Sequence, residues 1–557
     1  MQKRTQQRER AQRPNAGRTR LLWLATLATP LLLGGACEGL ARLRAAPRAA
    51  DDPMLQLVGA PSFFERTEID GRPHVRVAHD EVYSRRNIVF ATEKAPGSFR
   101  VFCLGGSASA GWPHPAGESY SAYLEQALRR STPRRPIEVI NVSAHAYAAY
   151  RVRPLFDRVL EFEPDLLVLY TGNNEFLEKR RYLPAREHLD PVLAIANRSA
   201  AVRLLRSGIV RLFFPDNVLA GARREHVAYE QWSKVRRVAL ALREDPAQFE
   251  QVKAHYELSV EAMVREAAAR GVPVILVSVP VNLRDWQPNV STHGLVGDSL
   301  TRWKTAFRAG RRALLQDDAD AARERLEEAV ALAPQHAESH YQLARSLERT
   351  GDAPSALAHY RRANDLDRNP FRALSDFNTR LRLIAASHPN AHLADAESAF
   401  LAASAPRAPG FDLLLDYVHP TREGNWTLAR TVFDVIASQR LLGDPPRRRF
   451  EAAPSPHYDE ARDLRLQRTL VMLFAMMHQY ESLVAKAKPY AAVPADRAPF
   501  MHRAFTVFSD VVDLDRRRVL GLPVDPDEAA RVEADLEHFY RERLPTPEEL
   551  GPDPTLS

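Results

Sequence analysis

Residues 99–109 read Phe-Arg-Val-Phe-Cys-Leu-Gly-Gly-Ser-Ala-Ser, a short apolar run that ends in two glycines and a serine. An apolar run of this length, closed by turn residues, predicts a β-strand with Ser107 at its carboxyl end. Similar apolar runs recur at 137–142, 165–170 and 272–279.

Segments compatible with helices lie between these runs, at 119–130, 151–162 and 245–270. Strands that alternate with helices predict a parallel sheet covered on both faces, which is a three-layer α/β/α fold. In such sheets functional sites form at the carboxyl ends of the strands. We therefore expect Ser107 to lie at the edge of the sheet where chemistry takes place.

Two further polar motifs could complete a site around this serine. Residues 170–175 read Tyr-Thr-Gly-Asn-Asn-Glu, and residues 416–421 read Asp-Tyr-Val-His-Pro-Thr. A serine nucleophile needs a base, a group that orients the base, and donors for the oxyanion. In so short a turn Asp416 can orient the His419 imidazole. Each motif alone is more often a turn or a structural contact than part of an active site.

Taken together and in this order, the three motifs resemble the sequence blocks of the SGNH (GDSL-like) hydrolase family. The resemblance implies a flavodoxin-like α/β/α parallel-sheet fold with an esterase activity. It also implies that Ser107 is the nucleophile, that Asp416 and His419 complete the triad, and that Asn174 is an oxyanion donor.

The resemblance covers roughly 99–290 and 374–440 and has two departures. Gly106 stands where the family's first block has an aspartate, and residues 141–147 lack the glycine of its second block. In the family that glycine offers its backbone N–H to the oxyanion, and Ala146 can offer the same group here if its dihedral angles are allowed. We therefore expect an oxyanion hole made of Ser107, Asn174 and Ala146, while His145 and Tyr147 could pack or contact substrate.

Between the two parts of the hydrolase domain, residues 303–373 have helical texture and a repeat. Ala322, Leu326 and Ala329 recur 34 residues later as Ala356, Tyr360 and Ala363. This period matches the tetratricopeptide repeat, a helix pair that buries its apolar face against a neighbouring pair. The pattern predicts an inserted all-α segment that could bind a protein partner. The alternative is an ordinary pair of helical hairpins that only packs on the main domain.

The amino terminus predicts a membrane anchor. A basic tail at 1–20 precedes an almost uncharged run at 21–43, which approaches the roughly 20 residues that a membrane helix needs. Basic residues favour the cytoplasmic side, so the rest of the chain should be exported. A cleaved signal peptide, lipoprotein processing at Cys37 and an apolar core helix are the alternatives.

The remaining segments carry no recognisable chemistry. Residues 44–98 are interpreted as a tether and lead-in segment, and 441–557 as a carboxyl-terminal helical region with helices around 461–488 and 526–544. Arg284 could bind an anion, although a structural ion pair is the commoner role of such an arginine.

Composition excludes several other classes of function. The formal net charge of +7 is concentrated before residue 21 and does not form a nucleic-acid footprint. Two cysteines, Cys37 and Cys103, make neither a disulfide scaffold nor a cysteine-rich metal site. No phosphate-binding loop and no zinc motif occurs, so we expect no cofactor and no metal.

The expected function is that of an extracytoplasmic serine esterase working through an acyl-serine intermediate. An acylated glycan or lipid would suit it as substrate, but the substrate-binding residues stay open. Two alternatives remain: an O-acyltransferase for envelope polysaccharide, and a tethered scaffold whose repeats bind a partner and whose triad is vestigial.

Overall fold

The computed structural model describes residues 64–77, 88–177, 237–443, 449–459 and 461–541. The predicted tail at 1–20 and anchor at 21–43 lie outside these ranges. Among the described helices, none is both long and apolar enough to cross a bilayer.

A three-stranded antiparallel sheet precedes the main domain, formed by β1 (Phe64–Ile69), β2 (Arg72–Val77) and β3 (Val89–Ala91). Asp70 and Gly71 join β1 to β2 with φ angles of 50° and 72°, as expected of a two-residue type I′ turn. Part of the predicted tether and lead-in segment, 44–98, therefore forms a small sheet.

The small sheet packs on the main domain through aromatic rings. Phe64 and Phe90 each place their ring centroid 5.1 Å from that of Phe162, and Phe90 lies 5.4 Å from Phe102. The buried Arg100 guanidinium also donates to the carbonyl oxygens of Ala91 and Glu93. These contacts join the small sheet to the core of the main domain.

The centre of the fold is a five-stranded parallel sheet whose strands are β4 (Phe99–Gly105), β5 (Ile137–Asn141), β6 (Leu166–Tyr170), β7 (Val274–Val277) and β8 (Ala391–Ala394). The spatial order is β5-β4-β6-β7-β8, which is 2-1-3-4-5 when only these strands are numbered. Doubly wound α/β sheets commonly have this order. The strand order reverses next to β4, so Ser107 follows the strand at the switch point.

Within the described ranges the α-helices are, in chain order, α1 (Ser107–Ala110), α2 (Tyr120–Ser131), α3 (Ala149–Val159), α4 (Pro246–Ala269), α5 (Gly297–Leu315), α6 (Ala319–Leu332), α7 (Ala337–Arg349), α8 (Ala353–Leu366), α9 (Ser375–Ser387), α10 (Ala396–Ser404), α11 (Arg422–Ser438), α12 (Leu464–Met476), α13 (Tyr480–Ala487), α14 (Pro499–Leu520) and α15 (Pro526–Arg541). Around the sheet, α4 packs against both α3 and α9, while α11 packs against both α2 and α10. Right-handed crossovers place α2 and α3 on opposite faces, because the chain moves in opposite directions along the sheet after β4 and after β5.

Helices α5 to α8 lie between β7 and β8 in the chain and form two hairpins that pack through α6 and α7. The alanines that recur at the 34-residue spacing are buried at the contacts within and between these hairpins, as are their larger partners Leu326 and Tyr360. The first helix begins at Gly297, six residues before the predicted boundary. The hairpins contact the core through the Tyr341 hydroxyl, which donates to the carbonyl oxygen of Arg284 at 2.7 Å.

The carboxyl-terminal region consists of α12 to α15 packed in succession. The stretch predicted to be helical at 461–488 is broken between α12 and α13, where His478 has a φ of 57° that ends the first helix. Helix α14 was not predicted, although Pro499 at its first turn and Gly521 at its carboxyl end are typical helix boundaries.

Candidate active site

Ser107 is the first residue of α1, and only Gly106 separates it from the end of β4. The two glycines before it are required by close packing: a Cβ at Gly105 would overlap the carbonyl of Tyr170, and one at Gly106 would overlap the side-chain amide of Asn174. The strand therefore ends in a tight turn that leaves Ser107 half-buried at the carboxyl edge of the sheet.

Asp416 and His419 lie on a short loop that its own backbone closes. The Leu415 N–H donates to the carbonyl oxygen of His419 at 2.7 Å, and Leu414 pairs with Pro420 as an isolated antiparallel bridge. One carboxylate oxygen of the fully buried Asp416 accepts the N–H groups of Val418 and His419, each at 2.8 Å. These bonds fix the carboxylate and leave its second oxygen for the imidazole.

The structure brings Ser107, His419 and Asp416 together in one hydrogen-bonded chain. His419 Nδ1 lies 2.6 Å from Asp416 Oδ2, and His419 Nε2 lies 2.8 Å from Ser107 Oγ. A carboxylate can only accept, so Nδ1 carries the proton and Nε2 accepts from the Ser107 hydroxyl. This arrangement can remove the serine proton as Oγ attacks an electrophile.

Asn174 lies beside the Ser107 turn, with its side-chain Nδ2 against Gly106. Nδ2 also donates to the carbonyl oxygen of Tyr147 at 3.1 Å, which orients the amide and uses one of its two N–H bonds. The Tyr147 carbonyl itself lies close to Gly106. The segments that carry Asn174 and Ala146 thus meet at the glycine that precedes Ser107.

Ala146 has a backbone φ of 57°, in the left-handed region that glycine adopts readily. It immediately precedes the Tyr147 carbonyl that meets Asn174. The Ser107 N–H, at the start of a helix, has no acceptor within that helix. The three groups expected to form an oxyanion hole therefore come from segments that meet at the Ser107 turn.

Sequence reasoning missed two side chains that support the loop of Asp416 and His419. The fully buried Asn282 donates its side-chain amide to the Asp416 carbonyl oxygen at 2.9 Å. Trp112 packs edge-to-face with its ring centroid 4.5 Å from that of His419. Neither could be found from a motif, because each acts on a residue far away in the chain.

The other polar residues near the site have structural contacts. Arg284 forms ion pairs with Asp285 at 2.9 Å and Asp412 at 2.8 Å, which agrees with the structural role. The nearby carboxylates raise the pKa of its guanidinium against the effect of burial. His145 is half-buried beside Trp112, at 6.0 Å between ring centroids. Over the described ranges, no group of three or more His, Cys, Asp or Glu side chains could hold a metal ion.

No protein-family model matches the chain, and no curated protein matches it either. The geometry of the site and its motifs are therefore what supports a function.

Proposed function

We propose that this chain is a serine esterase of the SGNH (GDSL-like) type, anchored in a membrane with its catalytic domain outside the cytoplasm. The observation that carries the proposal is the hydrogen-bonded chain from Ser107 through His419 to Asp416, with distances of 2.8 and 2.6 Å. Ser107 and His419 are separated by 312 positions in the chain, so local turn structure does not account for their contact.

The proposed reaction follows from the roles of these groups. His419 takes the Ser107 proton as Oγ attacks the ester carbonyl, and Asp416 stabilises the resulting imidazolium. The Ser107 N–H, the Asn174 amide and the Ala146 N–H bind the oxyanion. The alcohol leaves with the proton from His419, and water then hydrolyses the acyl-serine with His419 again acting as base.

Three features support the family within the α/β class. The 2-1-3-4-5 strand order and the two groups of helices fit a three-layer, flavodoxin-like arrangement. The Ser107 and Asn174 motifs follow neighbouring parallel strands, β4 and β6. Ala146 adopts the left-handed conformation that glycine adopts readily, and it retains the backbone N–H that the reaction would need.

Helices α5 to α8 resemble a pair of tetratricopeptide repeats inserted in the hydrolase domain. Their buried alanines at a 34-residue spacing support this. We propose that they recognise a protein partner, while the substrate, an acylated glycan or lipid, binds at the triad.

Replacement of the triad residues one at a time tests the proposed function. Ser107→Ala and His419→Ala should each lower turnover of a small chromogenic ester by on the order of a millionfold, and Asp416→Ala by about ten-thousandfold. Asn174→Ala, which removes one oxyanion donor, should cost about a hundred- to a thousandfold. Product analysis with a sugar acceptor separates hydrolysis from acyl transfer.

His388→Ala is the matched control, because His388 precedes β8 and lies at the opposite edge of the sheet from the site. Equal activity in all five proteins would show that the triad is vestigial and would favour the scaffold.

A further inference from the structure

His114 is a buried histidine on the turn that follows α1, seven residues after Ser107. Its Nε2 lies 2.8 Å from the carbonyl oxygen of Pro420, the residue directly after His419. Its Nδ1 lies 3.2 Å from the hydroxyl of Tyr458, which belongs to the carboxyl-terminal region. His114 thus connects the segment that carries Ser107 with the loop of His419 and with Tyr458, more than 300 positions later in the chain.

The partners of His114 determine where its proton lies. The Pro420 carbonyl can only accept, so Nε2 carries the hydrogen and donates it. In the neutral ring Nδ1 is then an acceptor, and the Tyr458 hydroxyl donates to it. The hydrogen bonds therefore run in one direction, from Tyr458 through His114 to the Pro420 carbonyl.

The segment that carries Tyr458 is itself held against the catalytic domain. The buried carboxylate of Glu118 accepts the Ser455 N–H at 3.1 Å and the Arg422 Nε–H at 3.1 Å. The Arg422 guanidinium lies over the Tyr458 ring, 5.4 Å from its centroid, and Arg422 begins the helix just after the catalytic loop. The hydroxyl of Tyr458 is thus presented to His114 from a fixed direction.

We propose that Tyr458 and His114 form a positioning relay that holds the His419 loop at its distance from Ser107, so that the carboxyl-terminal segment 449–459 is part of the active-site architecture. The inference rests on the proposed esterase function. The carbonyl that His114 holds belongs to the residue bonded to His419, so loss of that bond frees the backbone that sets the imidazole. Small misplacements of a catalytic group reduce turnover strongly.

Substitutions at His114 that keep or lose one ring nitrogen test the relay. A glutamine places its amide nitrogen near the position of Nε2 and can still donate to Pro420, whereas an asparagine reaches only the position of Nδ1. His114→Ala and His114→Asn should therefore lower kcat per active site by about tenfold or more. His114→Gln should restore kcat to within about threefold of the wild type, an energy of less than roughly 0.7 kcal/mol.

Active sites are counted by titration of the full-length protein with a fluorophosphonate probe, and kcat is expressed per titrated site with a small ester. A merely structural role for His114 would lower the melting temperature and the number of active sites, but not kcat per site. Tyr458→Phe, which removes only the hydroxyl, should lower kcat per site by about two- to fivefold. Tyr490→Phe is its matched control, because that hydroxyl donates to the Ala461 carbonyl oxygen within the carboxyl-terminal region.

A kcat per site that is unchanged in His114→Asn and in Tyr458→Phe overturns the relay while leaving the esterase intact. Equal losses in the glutamine and asparagine variants also overturn it, since the donor to Pro420 would then not be the operative group. A wild-type protein that neither reacts with the probe nor hydrolyses the ester contradicts the proposed function instead.

Discussion

Ala146 carries backbone strain at the point where the site needs a donor. For a residue with a Cβ, the left-handed conformation is less favourable than for glycine, by roughly 1 to 2 kcal/mol. The observed φ of 57° places the residue in this region, next to the carbonyl that orients Asn174. Strain of this kind is typical of functional sites and is balanced by the surrounding structure.

Ala146→Gly should therefore relieve strain without removing the N–H. Glycine also has more conformational entropy in the unfolded chain, which offsets part of this gain. We therefore expect a net stabilisation of about 0.5 to 1 kcal/mol, with esterase turnover within a few-fold of the wild type. Urea unfolding and ester hydrolysis measure the two effects. Ala144→Gly is the control. Ala144 is buried and lacks a positive φ, so this substitution should destabilise the protein by about 1 kcal/mol.

If Ala146→Gly is less stable than Ala144→Gly, Ala146 does not carry the proposed backbone strain. A loss of turnover comparable to that of Asn174→Ala would mean that the alanine methyl, and not only the N–H, serves the reaction.

Ser109 and Cys103, the other nucleophilic side chains near the turn, face the interior. Ser109 is fully buried, accepts a hydrogen bond from Ser143 Oγ at 2.8 Å and lies 3.2 Å from the Tyr120 hydroxyl. Burial raises the pKa of the Cys103 thiol to about 12, so it stays protonated. Ser107 is thus the hydroxyl of this turn that meets a base.

At the level of elements, most of the parallel strands were predictable because each is a short, largely apolar run. Strands β4, β6 and β7 are buried along their whole length, and β6 and β7 have the unbroken apolar pattern typical of such strands. The hairpin of β1 and β2 was missed because its alternation is weak and largely exposed. Its Asp70-Gly71 turn was the available signal.

The site was predictable to the extent that it consists of motifs. Ser107, Asn174, Asp416 and His419 lie in short patterns that a sequence shows directly. His114 and Asn282 act through backbone carbonyls more than 130 residues away in the chain, with separations of 306 and 134 residues. No local pattern encodes such contacts, so only the folded chain reveals them.

The inserted hairpins make a prediction of their own. A side chain at Gly310 on α5 would overlap the side chain of Leu326 on α6. Gly310→Val should therefore destabilise this hairpin by about 1 to 3 kcal/mol, as overpacking does. Hydrogen exchange should become faster over 297–332, while fluorophosphonate labelling of Ser107 should be unchanged.

Lys304→Val is the control, because Lys304 is exposed on the same helix. Exchange in Gly310→Val no faster than in this control would contradict the tight contact between α5 and α6.

At the scale of the whole molecule, the loop of Asp416 and His419 is held from several directions. Asn282 donates a hydrogen bond to the Asp416 carbonyl oxygen. The ring centroid of the buried Trp286 lies 5.1 Å from that of Tyr417 and 5.4 Å from that of Phe474 on α12. The inserted hairpins contact the same 282–287 segment through Tyr341. The inserted hairpins and the carboxyl-terminal helices therefore both contact the 282–287 segment, which supports the loop of Asp416 and His419.

The predicted orientation in the membrane rests on the basic tail before an apolar run. A phosphatase reporter fused after Ser557 should be active only if the carboxyl terminus is exported, and we expect activity there. Removal of residues 1–43 should abolish the export of the reporter. Fluorescence of a reporter that matures only in the cytoplasm would overturn the proposed localisation.

The most direct measurement of the central claim is identification of the residue that a fluorophosphonate probe modifies. The probe needs a serine activated by a base, so the full-length protein should be labelled at Ser107 in a peptide identified by mass spectrometry. Labelling should persist in Ser109→Ala and disappear in Ser107→Ala and His419→Ala. Absence of labelling in the folded wild-type protein, or modification of a serine other than Ser107, would contradict the account.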